Sequence, residues 1–180
     1  REAAIDPLVS EIKINVYRLA PDSQIMRALI AAIYNRKQVV VVMELQARFD
    51  EENNLQWSNQ LKEHGAKVIY GAPNLKVHSK LLYIKRQDKG KDLSVAYVGT
   101  GNFNERTSRI YTDFALLTAE KRVVSEVSKV FKLLENNMER VSFRHLMVSP
   151  INYRRKIVQL IDKEIVLAKA KKPAYIRIKL

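Results

Sequence analysis

The sequence predicts an α/β domain, a mixed sheet flanked by helices. Three observations carry that expectation. Over residues 12–70, strand-like runs alternate with helical spacing in the order β-α-β-α-β. A polar, glycine-containing break then joins two further strand-like runs as a hairpin, so parallel and antiparallel pairing should meet in one sheet. The chain has 180 residues, 47% hydrophobic and 28% charged, which is one domain's worth of sequence with enough apolar side chains for a core.

The elements follow in order. Ile12-Lys13-Ile14-Asn15-Val16-Tyr17 alternates with period two and reads as a strand. Pro21-Asp22-Ser23 starts a helix, and Ile25, Leu29, Ile30 and Ile33 give it an apolar face. Val39 to Met43 is a continuous β-branched run ending in Met, expected as a central strand buried on both faces. Asp50-Glu51-Glu52 puts acid at the start of a second helix that carries Leu55 and Leu61, with Gly65 as its C′ residue. Ala66 to Tyr70 is the next strand. Lys76 to Ile84 and Leu93 to Gly99 are the hairpin strands, joined by the polar stretch 85–92. Val123, Val127, Val130, Phe131 and Leu134 mark a third helix. Ser149-Pro150 is expected to cap a fourth, with Ile157, Leu160, Ile161 and Ile165 on its apolar side and a basic end at 169–172.

Bulk properties narrow the function. Thirty-two Lys+Arg against 19 Asp+Glu leave a net charge of +13, which favours a polyanionic partner: nucleic acid, nucleotide, polyphosphate or an anionic membrane surface. No run approaches the roughly 18 apolar residues of a membrane span. With no Cys, disulfides and thiolate metal sites are excluded, and a reducing cytoplasm is the default expectation. The chain opens on Arg1 without a visible signal peptide and closes on Tyr175 to Leu180, which alternates like a strand with nothing after it. It reads as a piece of a longer protein.

Among the three histidines, His78 carries the chemistry. It sits in Lys76-Val77-His78-Ser79-Lys80, where period two sets His78 and Lys80 on one face. Gly99-Thr100-Gly101-Asn102 ends the paired strand, so the hairpin brings an imidazole, an ammonium, a carboxamide and Gly-rich backbone N–H groups toward one anion. Neutral imidazole is a nucleophile at pH 7, and Lys80, Asn102 and backbone donors suit the charge that grows on phosphoryl oxygens. His64 lies at a helix end, His145 in a connector and Trp57 in the core.

These elements resemble the phospholipase D superfamily, whose pattern is His-x-Lys, an Asp, then Gly-x-x-Asn. His78-Ser79-Lys80 and Gly99-Thr100-Gly101-Asn102 match, but Lys85 stands where the lipases carry Asp. That departure argues against a phosphodiesterase and fits chemistry on phosphoanhydrides. The closer resemblance is to the large bacterial polyphosphate kinase family and covers nearly the whole chain. It is carried by 1–7, 16–18, 44–54, 75–80, 99–107, 109–113 and 146–150.

The resemblance implies a phospholipase D-like catalytic domain over residues 1–172, with 173–180 beginning the next domain. It implies autophosphorylation at His78 and reversible transfer of the terminal phosphate between ATP or ADP and polyphosphate. Lys80, Asn102, Arg18 and Arg48 become phosphate-facing, and Tyr111 becomes a nucleotide contact. Arg18 and Arg48 also become Mg²⁺-associated, indirectly, because guanidinium does not ligate a metal and phosphate or water must bridge. Both follow expected strands, so both can lie at one carboxyl edge. A half-buried core position is the alternative for Tyr111. The implied setting is cytoplasmic or peripheral to the inner membrane. Further domains of the same enzyme, with a second phospholipase D-like half, and a homo-oligomer are implied as partners, and nucleic acid is not. Two other readings stand beside it: a phosphodiesterase or nuclease of the superfamily, and a non-catalytic polyanion-binding module.

Overall fold

The computed structural model describes residues 1–71, 75–136 and 141–178. The chain divides into two compact units, 1–139 and 140–180.

The first unit is built on one mixed sheet. Its strands are β1 (Val9–Val16), β2 (Gln38–Met43), β3 (Lys67–Tyr70), β4 (Lys80–Asp88), the two-residue β5 (Lys91–Asp92), β6 (Val95–Gly99) and β7 (Ala115–Thr118). They lie in the order β3-β2-β1-β4-β6-β7, with β5 paired to β4 beside that path. β1, β2 and β3 are parallel, whereas β4 runs antiparallel to both β1 and β6. The carboxyl ends of β1, β2 and β6 and the amino end of β4 therefore meet at one edge.

Helices cover both faces. On one, α1 (Glu2–Ile5), α2 (Gln24–Tyr34) and α3 (Glu51–Glu63) close the main core with Ile12, Ile14 and Val16 of β1 and Val39, Val41 and Met43 of β2. Ser23 caps α2 by accepting from the Met26 amide, and Met26, Leu29 and Ala32 are its buried stripe. Gly65, at φ 99°, ends α3 as a C′ residue in a conformation that L side chains rarely adopt. α4 (Lys121–Asn136) lies against β4 and β6 and buries Val124, Val127, Val130 and Phe131. Lys13 is buried on its own strand, where it pairs with Glu135 and, at 3.3 Å, with Glu11.

In the second unit, α5 (Tyr153–Lys169) follows a turn organised by Asn152. The Asn152 carboxamide accepts from the Val148 amide at 2.7 Å and donates to the Phe143 and Leu146 carbonyls at 2.9 and 3.1 Å. Among the described residues no helix is long and apolar enough to cross a membrane.

Four expectations change. β4 begins at Lys80 rather than Lys76, because its approach spends backbone groups on side chains: the Val77 amide donates to Glu44 and the Ser79 carbonyl accepts from Asn15. α5 begins at Tyr153 with Asn152 at the cap position, and Ser149-Pro150 belongs to the preceding turn. Leu160 and Ile165, expected on its apolar side, are exposed. Finally, the described part of the strand-like end, 175–178, forms no strand: the Tyr175 amide donates to the Glu164 carboxylate at 3.0 Å and not to a ladder, and 179–180 lie outside the described residues.

Candidate active site

The sheet edge just described brings His78, Lys80 and Arg18 around Tyr17, with the Arg48 backbone against Arg18. Tyr17, one residue past β1 and buried, is the hub. The His78 ring stands edge-on to it with centroids 4.5 Å apart. The charged ends of Lys80, Lys76 and Arg18 lie 5.4, 5.7 and 5.8 Å from the Tyr17 centroid. Three cations within 6 Å of one aromatic ring centroid gain attraction from its quadrupole.

His78 itself is exposed, in the approach to β4, whereas Lys80 is buried as the first residue of that strand. Lys80 Nζ lies 2.9 Å from His78 Nδ1 and 3.1 Å from Nε2, and it donates to the His78 carbonyl at 2.5 Å. Burial pushes the Lys80 ammonium down to about 8, with Asp113 opposing and Arg18 adding. Partial desolvation, then the charges of Lys80, Lys76 and Arg18, holds His78 below its ordinary 6.5. At pH 7 the imidazole is thus neutral, with a nucleophilic lone pair, and the ammonium beside it keeps its proton.

A set of buried polar side chains holds this approach in place. The Asn15 carboxamide donates to the Ser79 carbonyl at 2.5 Å and to its hydroxyl at 2.7 Å. Glu44 accepts from the Val77 amide at 3.0 Å and from the Gln46 amide at 2.9 Å. Asn54 ties the ends of β1 and β2 by donating to the Tyr17 and Glu44 carbonyls at 2.9 and 3.0 Å.

On the β6 side, the pairing of Lys80 with Gly99 brings the Gly99–Asn102 segment to the His78 end of the hairpin. A Cβ on Gly101 would run into the Asp113 carboxylate, so glycine is what lets that acid come close. Thr100 donates its hydroxyl to Asp113 at 3.0 Å. The Asn102 side-chain oxygen is buried without a hydrogen-bond partner among the described residues.

Arg18 and Arg48 share the edge: Arg18 donates to the Arg48 carbonyl at 3.1 Å and faces Asp50 at 3.3 Å. The Arg48 guanidinium lies 4.8 Å over the Phe49 ring. Tyr111 is 67% exposed, so it is not a core tyrosine. Among the described residues no hydrogen bond or ring contact joins its side chain to the His78 group. His64 caps α3 and meets the Tyr34 hydroxyl at 3.0 Å, and Trp57 is buried in the core.

Tyr17, Asn15, Glu44, Asn54 and Asp113 were not singled out as functional residues from sequence. A signal existed for one of them: Glu44, an acid, directly follows the β-branched run.

A family model described as polyphosphate kinase C-terminal domain 1 matches residues 1–140. The chain belongs to the polyphosphate kinase family. The Vibrio parahaemolyticus polyphosphate kinase is 55% identical over 179 residues, 99% of this chain and 26% of that relative. The Escherichia coli K12 polyphosphate kinase is 50% identical over 180 residues, 100% of this chain and again 26% of the relative. The chain therefore spans about a quarter of these relatives. The crystal structure of polyphosphate kinase from Porphyromonas gingivalis matches with a TM-score of 0.82 at 42% identity, over 94% of this chain and 28% of that one. NucT from Helicobacter pylori matches with a TM-score of 0.56 at 15% identity, over 74% and 83% of the two chains, which is a likeness of fold. The mixed sheet with helices on both faces is thus the phospholipase D-like arrangement expected from the His-x-Lys and Gly-x-x-Asn pattern.

Among the described residues no three His, Cys, Asp or Glu side chains group to hold a metal ion. The acids near His78 are already engaged: Asp50 with Arg18, Asp113 with Thr100 and Glu44 with two backbone amides.

Proposed function

We propose that this chain supplies the phosphoryl-accepting side of a polyphosphate kinase active site, with His78 as the covalent carrier. The supporting observation is the His78 ring within 2.9 Å of the Lys80 side-chain nitrogen, both set against Tyr17 at the sheet edge. A ring nitrogen attacks the terminal phosphorus of ATP. The bond from that phosphorus to the bridging oxygen breaks, and its electron pair leaves on ADP. In the second half, a terminal oxygen of polyphosphate attacks the phosphohistidine, the P–N bond breaks, and the imidazole is restored with the chain one phosphate longer. Each step is reversible.

Lys80 donates to the phosphoryl oxygens in place of the His78 ring it contacts at rest, and Asn102, Arg18 and Arg48 face the remaining oxygens. Tyr111 contacts the nucleotide. Mg²⁺, if carried by the substrate, would offset charge on its phosphate oxygens, and Arg18 and Arg48 would face those oxygens and not ligate the metal. Residues 1–172 act as the catalytic domain in this reading, and 173–180 lead into the next. A second phospholipase D-like half closes the other side of the site in a homo-oligomeric enzyme of the cytoplasm or the inner-membrane surface.

The test uses ATP labelled at its terminal phosphate. It is given to the chain alone and to an E. coli polyphosphate kinase in which this chain replaces the matching quarter. Acid-labile label on His78 in the hybrid supports the reading. Diester cleavage without label would move the chain to the nuclease class, and salt-sensitive polyphosphate binding without any chemistry would leave a binding module. The chain alone should bind weakly and turn over slowly, because in-line positioning by the second half is missing. A rate equal to the hybrid's would show that the site needs no second half.

A further inference from the structure

Much of the +13 charge lies away from His78. On the face of the sheet covered by α4, a groove of about 330 Å³ opens between that helix and the β4–β6 hairpin. Buried Tyr83 and Val124 line it. Lys121, Ser125, Ser128, Lys129 and Lys132 also line it, and their spacing sets them on one stripe of α4. All three lysines are exposed, and among the described residues none forms an ion pair. Among the described residues Asp92 is the only acid in the lining. It accepts from the Ser94 amide at 3.0 Å and hydroxyl at 2.5 Å, and it feels Lys121 and Lys85. Among the described residues no acid pairs with Lys129 or Lys132.

We infer that this groove is a second phosphate-chain site, one that holds inorganic polyphosphate away from the reacting histidine. Its free donors are ammonium and hydroxyl groups, which suit phosphate oxygens. Its one aromatic residue, Tyr83, is 8% exposed, so a nucleobase would find no ring to stack on. That favours an inorganic chain over nucleic acid. The groove is distinct from the His78 edge. Its lining meets β4 from Tyr83 to the level of Gln87, opposite Asp92, which is about 10 to 23 Å along the strand from Lys80. A long chain can occupy both places at once, and a tether of that kind raises the local concentration of its free end at His78. The ligand's identity rests on the kinase reading above, whereas the groove's affinity for a phosphate chain does not.

The test compares two double variants of equal charge change in the 180-residue chain. One is Lys129→Gln with Lys132→Gln. The other is Lys171→Gln with Lys172→Gln, at exposed positions after α5. Titration with long-chain inorganic polyphosphate should show the first pair weakened about fivefold relative to the second, the scale of two exposed charge contacts. Hydrogen exchange should show polyphosphate protecting residues 121–132 in the unaltered chain. Equal weakening in both pairs would overturn the proposal by assigning the affinity to diffuse charge. No weakening in the first pair, or no protection, would also overturn it. Single-stranded DNA of matched phosphate number that protects 121–132 as strongly would replace it with a nucleic-acid site. Labelling of His78 is read separately and should be unchanged by the groove variant. If label never forms but the groove effect persists, the kinase reading fails and the groove stands.

Discussion

The His78 edge and the α4 groove hold lysines of the same chemical type in opposite physical states. Lys80 is buried, pressed against an imidazole and an aromatic ring, and its ammonium is pushed down to about 8. Lys121, Lys129 and Lys132 stand in solvent. Burial makes a charge costly and effective, because little water screens it from a phosphoryl oxygen a few ångströms away. Exposure makes a charge cheap and weak, fit for attracting an anion but not for stabilising a transition state. Net charge therefore says little about catalysis until each cation has been placed.

The largest break in that comparison comes from His78→Ala. In the hybrid enzyme it should lower polyphosphate synthesis by about 10³-fold or more, the scale of losing a nucleophile. His64→Ala and His145→Ala should change the rate little. Equal losses at all three would remove the reason for placing the chemistry at the Tyr17 hub.

Lys80→Met comes next. It should slow transfer by about 10²-fold, comparable to losing one donor to a developing charge. The pH profile sharpens the assignment. Transfer needs neutral His78 and protonated Lys80, so the rate should rise through a pH below 6.5 and fall near about 8. The variant should lose the alkaline fall, and its acid limb should move upward because a cation depressing His78 has gone. Stability should move the other way. The folded Lys80 value lies below its ordinary 10.5, so the unfolded chain binds more protons between about 8 and 10.5. Stability of the parent should therefore rise with pH across that window and carry a penalty below it. Lys80→Met removes the penalty, and melting should rise by about 2–4 °C for each kcal/mol relieved. A variant that is both slower and less stable would contradict this account of Lys80.

The layout of the edge was legible because it is written in short-range patterns. Alternation located β1, the β-branched run located β2, and the hairpin aligned Lys80 with Gly99. His78 and Lys80 do meet, although His78 precedes the strand, and the Gly99–Asn102 segment ends beside Lys80. What holds them was not legible. Asn15 reaches Ser79 across 64 residues, Glu44 reaches Val77 across 33, and Asn54 reaches Tyr17 across 37. Such contacts leave no periodic trace. Short range also misled at the amino end of β4, where a strand-like run lends its amide and carbonyl to those distant side chains. β7 escaped notice as a four-residue edge strand whose first three residues are exposed, so no buried pattern marks it.

Glu44→Gln tests that hidden layer. The carboxylate accepts two backbone amides, and its amide counterpart turns an NH₂ group toward one of them. Losing a charge-assisted bond at a buried site should cost about 2 kcal/mol of stability. A looser His78 approach should cost about tenfold in rate, since misplacement alone is expensive. KM for ATP should hold, because Glu44 faces backbone amides and not the ligand. A rise in KM with an unchanged kcat would assign Glu44 to binding instead.

Tyr111 should give the smallest effect, and it probes how far the site reaches beyond the buried edge. Its loop is pinned from two sides. Glu105 accepts from the Ser23 hydroxyl at 3.1 Å and the Gln24 amide at 2.7 Å, which fixes it to the start of α2. Asn104, buried, accepts from the Arg106 and Thr107 amides at 3.0 and 3.1 Å. The Tyr111 amide then donates to the Thr107 carbonyl at 3.1 Å, so the backbone is held while the ring stands in solvent. A ring presented in that way can stack on a base or offer its hydroxyl, and the two uses separate cleanly. Tyr111→Leu should raise KM for ATP about fivefold, the lower end for loss of one base–aromatic stack, with kcat nearly unchanged. Tyr111→Phe should keep the parent KM if stacking is the contact and match the Leu variant if the hydroxyl is. KM for polyphosphate in the reverse reaction should not move in either variant, because an inorganic chain carries no base. An equal rise for both substrates would mean that Tyr111 shapes the loop and does not touch the nucleotide.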